Sequence, residues 1–483
     1  MKIKTLGTVL ISLLLVGVVV NFLHITPVVY SQETRKVPAE YLTIQEAIDA
    51  SNSGDIINVS RGTYYEHLVI TKDRLVLVGE NVGTTIIDGN QTGTVIEILA
   101  NNVTITGFTI QGSGLQYPED QGIHVYRSSN HTIVGNIICN CHVGIRVHDS
   151  RNTRIIENTV ANNSDSGIIL QVNTRNTFIN GNNITNNYVG INTLAYADNN
   201  IISENIIMNN GYSGIQLYLP QWNRVYENIL MFNERGVRFF GDRTAYNTIS
   251  DNVIAQNKYG IDFWDNSSSH NVIYHNDIID NTYQLYLESP PGNLRGNLWN
   301  NTAKEGNYWS DYEGEDLDGD GIGETNTPHL GVDSYPLNNP RSPIPIIVNE
   351  QLYRVTLRSN SVVSKFYFDQ ASKEIGFEVT GPAGTLGHCN ITIPKNLLNP
   401  LASQSWIVLL DGVDVDATIA ENATSTYLYF IYNHTAHDVR IIVEGSSYII
   451  FYVVGIVVAL ASVVGVAIAF IRRKQKRHKA STR

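Results

Sequence analysis

His124 and Arg146 stand 22 residues apart, and so do Tyr126 and His148. An imidazole next to a guanidinium can take a proton from the carbon beside a uronate carboxylate while the cation steadies the charge that develops. His124, Arg146, His148 and Asp149 therefore form one candidate catalytic group, of the kind a polysaccharide lyase or epimerase would need. Paired aspartates of the hydrolytic kind cannot be read from the same stretch, so hydrolysis is disfavoured. A second set, Tyr126, Tyr218, Arg238, Phe240, Asp262 and Trp264, mixes rings with polar groups. Sugar rings stack on aromatics and their hydroxyls need donors and acceptors, so this set is a candidate ligand-binding surface. Aromatics at such spacing also pack on one another across neighbouring strands of a solvated sheet.

Two further groups have metal-ligand character. The run Asp316-Leu317-Asp318-Gly319-Asp320-Gly321-Ile322-Gly323-Glu324 offers carboxylates at positions 1, 3, 5 and 9, glycine at 6 and the Ile322 carbonyl at 7. That is the order of oxygen ligands in a calcium loop. Thr327 stands where an EF-hand would place its bidentate Glu, and no helical pattern flanks the run, so a small self-contained calcium loop is expected. Cys139, Cys141 and His142 supply thiols and an imidazole, which suit copper. Cys141 also fits as a small buried residue at a corner.

These residues are positioned by a repeat. Gly followed by Ile or Val recurs at 122, 144, 167, 190, 214, 236 and 260, in steps of 22 to 24 residues. Each unit also holds an N-x-[IVL]-x-x-N box, from Asn158–Asn163 to Asn276–Asn281, frayed at Cys141 in the first unit and at Gln284 after the last. Units this short cannot enclose a core and must stack on copies of themselves. Short apolar strands with Gly and Asn between them predict a right-handed parallel β-helix, with Asn ladders along its corners. Taking the residue after Gly as inward, the next outward column runs His124, Arg146, Ile169, Asn192, Gln216, Arg238, Asp262 and Tyr286. The column beside it runs Tyr126, His148, Gln171, Leu194, Tyr218, Phe240, Trp264 and Glu288.

Around the repeat, residues 1–31 read as a signal peptide, with lysines before an apolar run. Residues 37–111 read as an N-terminal cap and first coils, in which Thr43 and Glu46 form a capping box for a short helix. The regular coils occupy 112–290, and a C-terminal cap with the calcium-type loop occupies 291–340. A Pro-rich linker follows, then strands over 346–445 that fit a β-sandwich stalk. The apolar run 448–471 is long enough to span a bilayer, and the basic tail 472–483 stays on the cytoplasmic side. Sequons such as Asn58, Asn183 and Asn300 are compatible with glycosylation outside the cell. The net charge of -12 argues against nucleic acid, and three cysteines make no disulfide framework.

The stretch Gly306-Asn307-Tyr308-Trp309-Ser310-Asp311-Tyr312, the acidic loop and Tyr335-Pro336-Leu337, taken with the coils, resemble the NosD family of periplasmic copper-binding β-helix proteins. More broadly, Ile44–Ala50 and Gly62-Thr63-Tyr64 look like the start of pectate-lyase-like proteins. The first resemblance implies help with copper-centre maturation, the second action on polysaccharides. The expectation is an all-β, single-pass surface protein whose bulk lies outside the cell, a non-catalytic scaffold for carbohydrate. A uronate lyase or epimerase and a copper-binding accessory protein are the alternatives. Its expected partners are envelope or extracellular polysaccharide, surface-layer proteins and the membrane, with calcium as cofactor and copper in the alternative.

Overall fold

The structure is a computed structural model describing residues 32–443, apart from 117–119, 266, 289–293, 295 and 402–403. The signal peptide, the 448–471 span and the basic tail lie outside the described residues. Among those described, no helix is long and apolar enough to cross a membrane.

Each coil is built from three short strands. Gln121–Tyr126 lies in sheet 1, Thr132–Val134 in sheet 2 and Ile137–Cys139 in sheet 3, and Val143–His148 returns to sheet 1 one coil further on. Among the described residues the three sheets hold ten, eleven and eleven strands, every neighbouring pair parallel. Parallel strands joined by such crossovers take the right-handed path. The core is filled by inward columns of β-branched and aliphatic residues, for example Ile133, Ile155, Ile179 and Ile202 in sheet 2, all fully buried. Coils lie about 4.8 Å apart.

The corners follow one rule that the box conceals. A residue in the left-handed conformation comes first, and a buried ladder Asn follows it. Glu157, Glu204, Glu227 and Asp251 have φ of 54° to 57° immediately before Asn158, Asn205, Asn228 and Asn252. The box asparagines are thus not themselves the left-handed residues of the turn. Their role is in the ladder: Asn182 sends its N–H and its Nδ2 to Asn205 Oδ1, both at 2.9 Å, and Nδ2 also reaches the Ile155 and Asn180 carbonyls. The repeat glycines are not left-handed either. A Cβ at Gly190 would sit 2.5 Å from the Gly214 carbonyl oxygen and 2.7 Å from Ile207 Cγ2, so glycine is required there by the close approach of coils. The stretch Val103–Gln111 is two strands, Thr104–Thr106 and Thr109–Gln111, split by a corner at Gly107 with φ 82°.

Both ends are closed. Helix α1 (Ile44–Ala50) carries the capping box between Thr43 and Glu46, and it buries Ile44, Ala47 and Ile48 against the first coils. At the far end Trp299, Trp309 and Tyr312 close the core. The Asn ladder between sheets 2 and 3 runs on through Asn276 to Asn307 and ends on the Asp333 carboxylate, 2.8 Å from the Asn307 N–H.

Residues 344–443 form two five-stranded antiparallel sheets facing one another. They are not a pendant stalk. Ile344 and Ile346 share an apolar cluster with Ile229, Met231, Val253, Ala255 and Ile279, which point outward from sheet 3. Tyr308 Oη donates to the Val363 carbonyl at 3.0 Å. The segment expected to be a linker is pinned: the Arg341 and Ser342 N–H groups both donate at 2.7 Å to the buried Asp277 carboxylate. An outward apolar stripe on three successive coils has to be covered, and the sandwich covers it.

Candidate functional site

The outward face of sheet 1 carries the expected columns. Strand register aligns His124, Arg146, Ile169, Asn192, Gln216, Arg238, Asp262 and Tyr286 coil by coil. Tyr126, His148 and Gln171 align beside them, as do Tyr218 and Phe240. Leu194, Trp264 and Glu288 lie one residue beyond their strands but keep the backbone bond to the coil before.

At one end the face gathers His124, Tyr126, Arg146 and His148. Ring centroids lie 5.3 Å apart for His124 and Tyr126, and 5.2 Å for Tyr126 and His148. Burial, followed by the charges of Arg146 and His148, pushes His124 down to about 4, so it is neutral at neutral pH. His124 Nδ1 faces Glu97 at 3.6 Å, and its buried Nε2 has no hydrogen-bond partner. His148 is lowered as well, first by burial and then by Arg146. Neutral imidazoles beside a cation are what proton abstraction requires. Arg146, however, is 7% exposed and directs Nε and Nη2 to Gln171 Oε1 at 2.9 and 2.5 Å. Asp149 turns at a corner with φ 51° and faces Arg127 at 3.6 Å, near enough to His148 for its charge to oppose the lowering there.

At the other end the outward charges are covered. Asp262 Oδ2 accepts from Arg235 Nε at 2.8 Å and lies 3.3 Å from Arg238 Nε. The Arg238 guanidinium lies 4.3 Å from the Trp264 ring centre and 4.9 Å from that of Tyr212; Arg235 lies 4.4 Å from Tyr212 and 5.2 Å from Tyr259. Cations over ring faces are favourable contacts. Burial outweighs both arginines and raises the Asp262 carboxyl to about 6. Arg235 Nη1, Arg238 Nε and Asp262 Oδ1 are buried with no hydrogen bond; the nearby Glu234 and Asp262 oxygens are close enough to attract but not aligned to accept. Tyr218 and Phe240 stack on each other at 4.7 Å, the cross-strand packing that was the alternative to a free sugar-binding face. Trp264 meets Phe240 by an edge at 5.7 Å and is exposed.

Arg235, Tyr212 and Tyr259 were not among the expected residues. Arg235 precedes Gly236, and strict alternation from that glycine sends it inward; the pairing is interrupted at the glycine, and the side chain emerges beside Asp262. Two hollows, of about 340 and 250 Å³, lie away from this face at the junction with the sandwich, the first lined by Glu204, Glu227, Asp251 and Arg354.

The acidic loop is gathered as expected. Side-chain oxygens of Asp316, Asp318, Asp320 and Glu324 lie within 4.8 Å of one another. Asp316 accepts the Gly319 and Gly321 N–H groups at 2.6 and 3.0 Å, and Asp320 accepts that of Ile322 at 2.9 Å, which curls the chain around the carboxylates. Burial, then repulsion from the three aspartates, raises the Glu324 carboxyl above its ordinary value. A hard cation would relieve that repulsion, so the residues fit calcium.

The copper group is not assembled. Among the described residues, the acidic loop is the one place where three or more His, Cys, Asp or Glu donors converge. Cys141 lies at the head of a ladder, its N–H on Asn163 Oδ1 at 3.0 Å, and burial pushes its thiol up to about 11. Cys139 faces Gln111, and His142 Nδ1 pairs with Ser164. The three donors do not converge on one point.

Residues 121–278 match the family model described as a right handed beta helix region. The coils are of that type. No curated protein sequence matches the chain. Among solved structures the chain is similar to the periplasmic alginate epimerase AlgG, at 18% identity and a TM-score of 0.33 over 49% of this chain and 70% of that one. It is also similar to pectate lyase Pel9A, at 13% identity and a TM-score of 0.45 over 56% and 80%. The Dettilon tailspike protein gp208 aligns over 85% of this chain and 94% of its own, at 14% identity and a TM-score of 0.39.

Proposed function

We propose that the protein is a non-catalytic carbohydrate-binding scaffold, exported and held at the membrane by the 448–471 segment, with calcium bound in the 316–324 loop. The observation that carries this reading is the face of sheet 1, which is broad and mixes aromatic with charged groups. Its buried Arg235, Arg238 and Asp262 lie beneath Tyr212, Tyr259 and Trp264, with guanidinium N–H groups that are ion-paired but make no aligned hydrogen bond. Envelope or extracellular polysaccharide is the ligand class that such a surface suits.

A uronate lyase or epimerase is the second reading, favoured by the neutral His124 beside Arg146. There His124 would take the proton α to a uronate carboxylate while Arg146 attracts that carboxylate. The Gln171 clamp on Arg146 and the covered His124 Nε2 weigh against it. Copper handling of the NosD kind has the least support, because the thiols and His142 do not converge. The deciding experiment incubates the whole chain, in detergent with calcium, with neutral and anionic polysaccharides and follows products by mass. Retention on a glycan without product is expected; new chain ends or an altered uronate would make this an enzyme centred on His124.

A further inference from the structure

The corner between sheets 1 and 2 has its own outward column: Asn130, Asn152, Asn176, Asn199, Trp222, Tyr246, His270 and Gly296, each with φ between 55° and 75°. On the first coils these are amides that bond to one another, Asn152 to Asn130 at 3.0 Å and Asn176 to Asn152 at 3.2 Å. On the next three coils the same position holds rings. Trp222 and Tyr246 stack at 4.5 Å with planes 7° apart, and Tyr246 and His270 at 5.2 Å.

Nothing in the fold asks for rings there. Asn and Gly take the left-handed conformation readily, whereas a bulky residue does so only under constraint. Trp222 is nonetheless 53% exposed and Tyr246 41%. The ring stack ends at Trp222, and the next side chain along the column is the Asn199 amide, so an exposed aromatic wall meets a row of amides. Arg151, Arg154 and Arg224 are exposed beside the column, on a chain whose net charge is -12.

We infer that this corner is a binding platform for an acidic polysaccharide laid along the solenoid axis. The apolar face of a pyranose ring covers Trp222, its hydroxyls reach the Asn199 and Asn176 amides, and its carboxylates meet the arginines. This rests on the carbohydrate reading above and adds a separate location and a ligand charge.

The test compares the full chain with Trp222→Asn/Tyr246→Asn and with Trp264→Ala, using a polyuronate and a neutral glucan as probes. Asn occupies the same position on the preceding coils, so the double variant keeps the turn, and an unchanged melting temperature verifies this. At low salt the double variant should bind polyuronate at least tenfold more weakly, Trp264→Ala reads the sheet 1 face separately, and added salt should weaken the parent. Unchanged polyuronate binding by the double variant overturns the platform while leaving the carbohydrate reading intact, as does loss confined to Trp264→Ala. Equal binding of the neutral glucan overturns the charge assignment. A parent chain that retains no glycan overturns both readings.

Discussion

A buried primary amide has two donors and an acceptor to satisfy, and the ladder satisfies them by borrowing from the coil on either side. Asn205 is typical: its N–H and Nδ2 go to Asn228 Oδ1, Nδ2 also reaches the Ile179 carbonyl, and its own Oδ1 takes both donors of Asn182. Asn205→Ala would orphan groups on two coils. Loss on the order of 3 kcal/mol is expected, read as a fall in the denaturation midpoint. Ladders at two corners are visible in the boxed asparagines. A third, through Asn200, Asn223, Asn247, Asn271 and Asn297, is hidden in sequence because His131, Thr153 and Thr177 hold the same place on earlier coils. His131 there is fully buried, and burial pushes it down to about 4 against a hydrogen bond to the Ser128 backbone.

At the scale of elements, the acidic loop 316–324 gathers four carboxylates within 4.8 Å of one another. Four carboxylates held together repel one another, and a cation bound only by the folded loop stabilises it by mass action. At free calcium a hundredfold above its dissociation constant the gain is about 2.7 kcal/mol. A chelator should therefore lower the melting temperature, and Asp318→Asn/Asp320→Asn should show neither that loss nor calcium uptake by titration calorimetry. The loop was legible because ligand spacing is local. The face of sheet 1 was legible in its columns, since a strand alternates sides with period two. What alternation could not supply was the interruption at each repeat glycine, which brings Arg235 out beside Asp262.

For the whole molecule, the decisive contact is the one between solenoid and sandwich at Asp277. Burial raises its carboxyl to about 7, although the Arg341 and Ser342 N–H groups oppose the shift. Between its ordinary value of 3.8 and about 7 the docked form holds a proton that the undocked form releases, so docking strengthens as pH falls through that window, weakens as pH rises through it and is flat above it. Asp277→Ala should leave two backbone donors unmet and speed tryptic cleavage after Arg341 severalfold. Asp277→Asn should remove the pH dependence of that cleavage between pH 5.5 and 8 relative to the parent. The sequence by itself determined the coils, their stacking, the helical cap and the acidic loop, because each follows from a short pattern repeated or closed locally. Only the tertiary structure decided that the sandwich lies along sheet 3, that the charges around Asp262 on sheet 1 are covered by rings, and that the donors of Cys139, Cys141 and His142 do not converge. Those outcomes depend on side chains from coils 22 or more residues distant, and on burial, which no local pattern encodes.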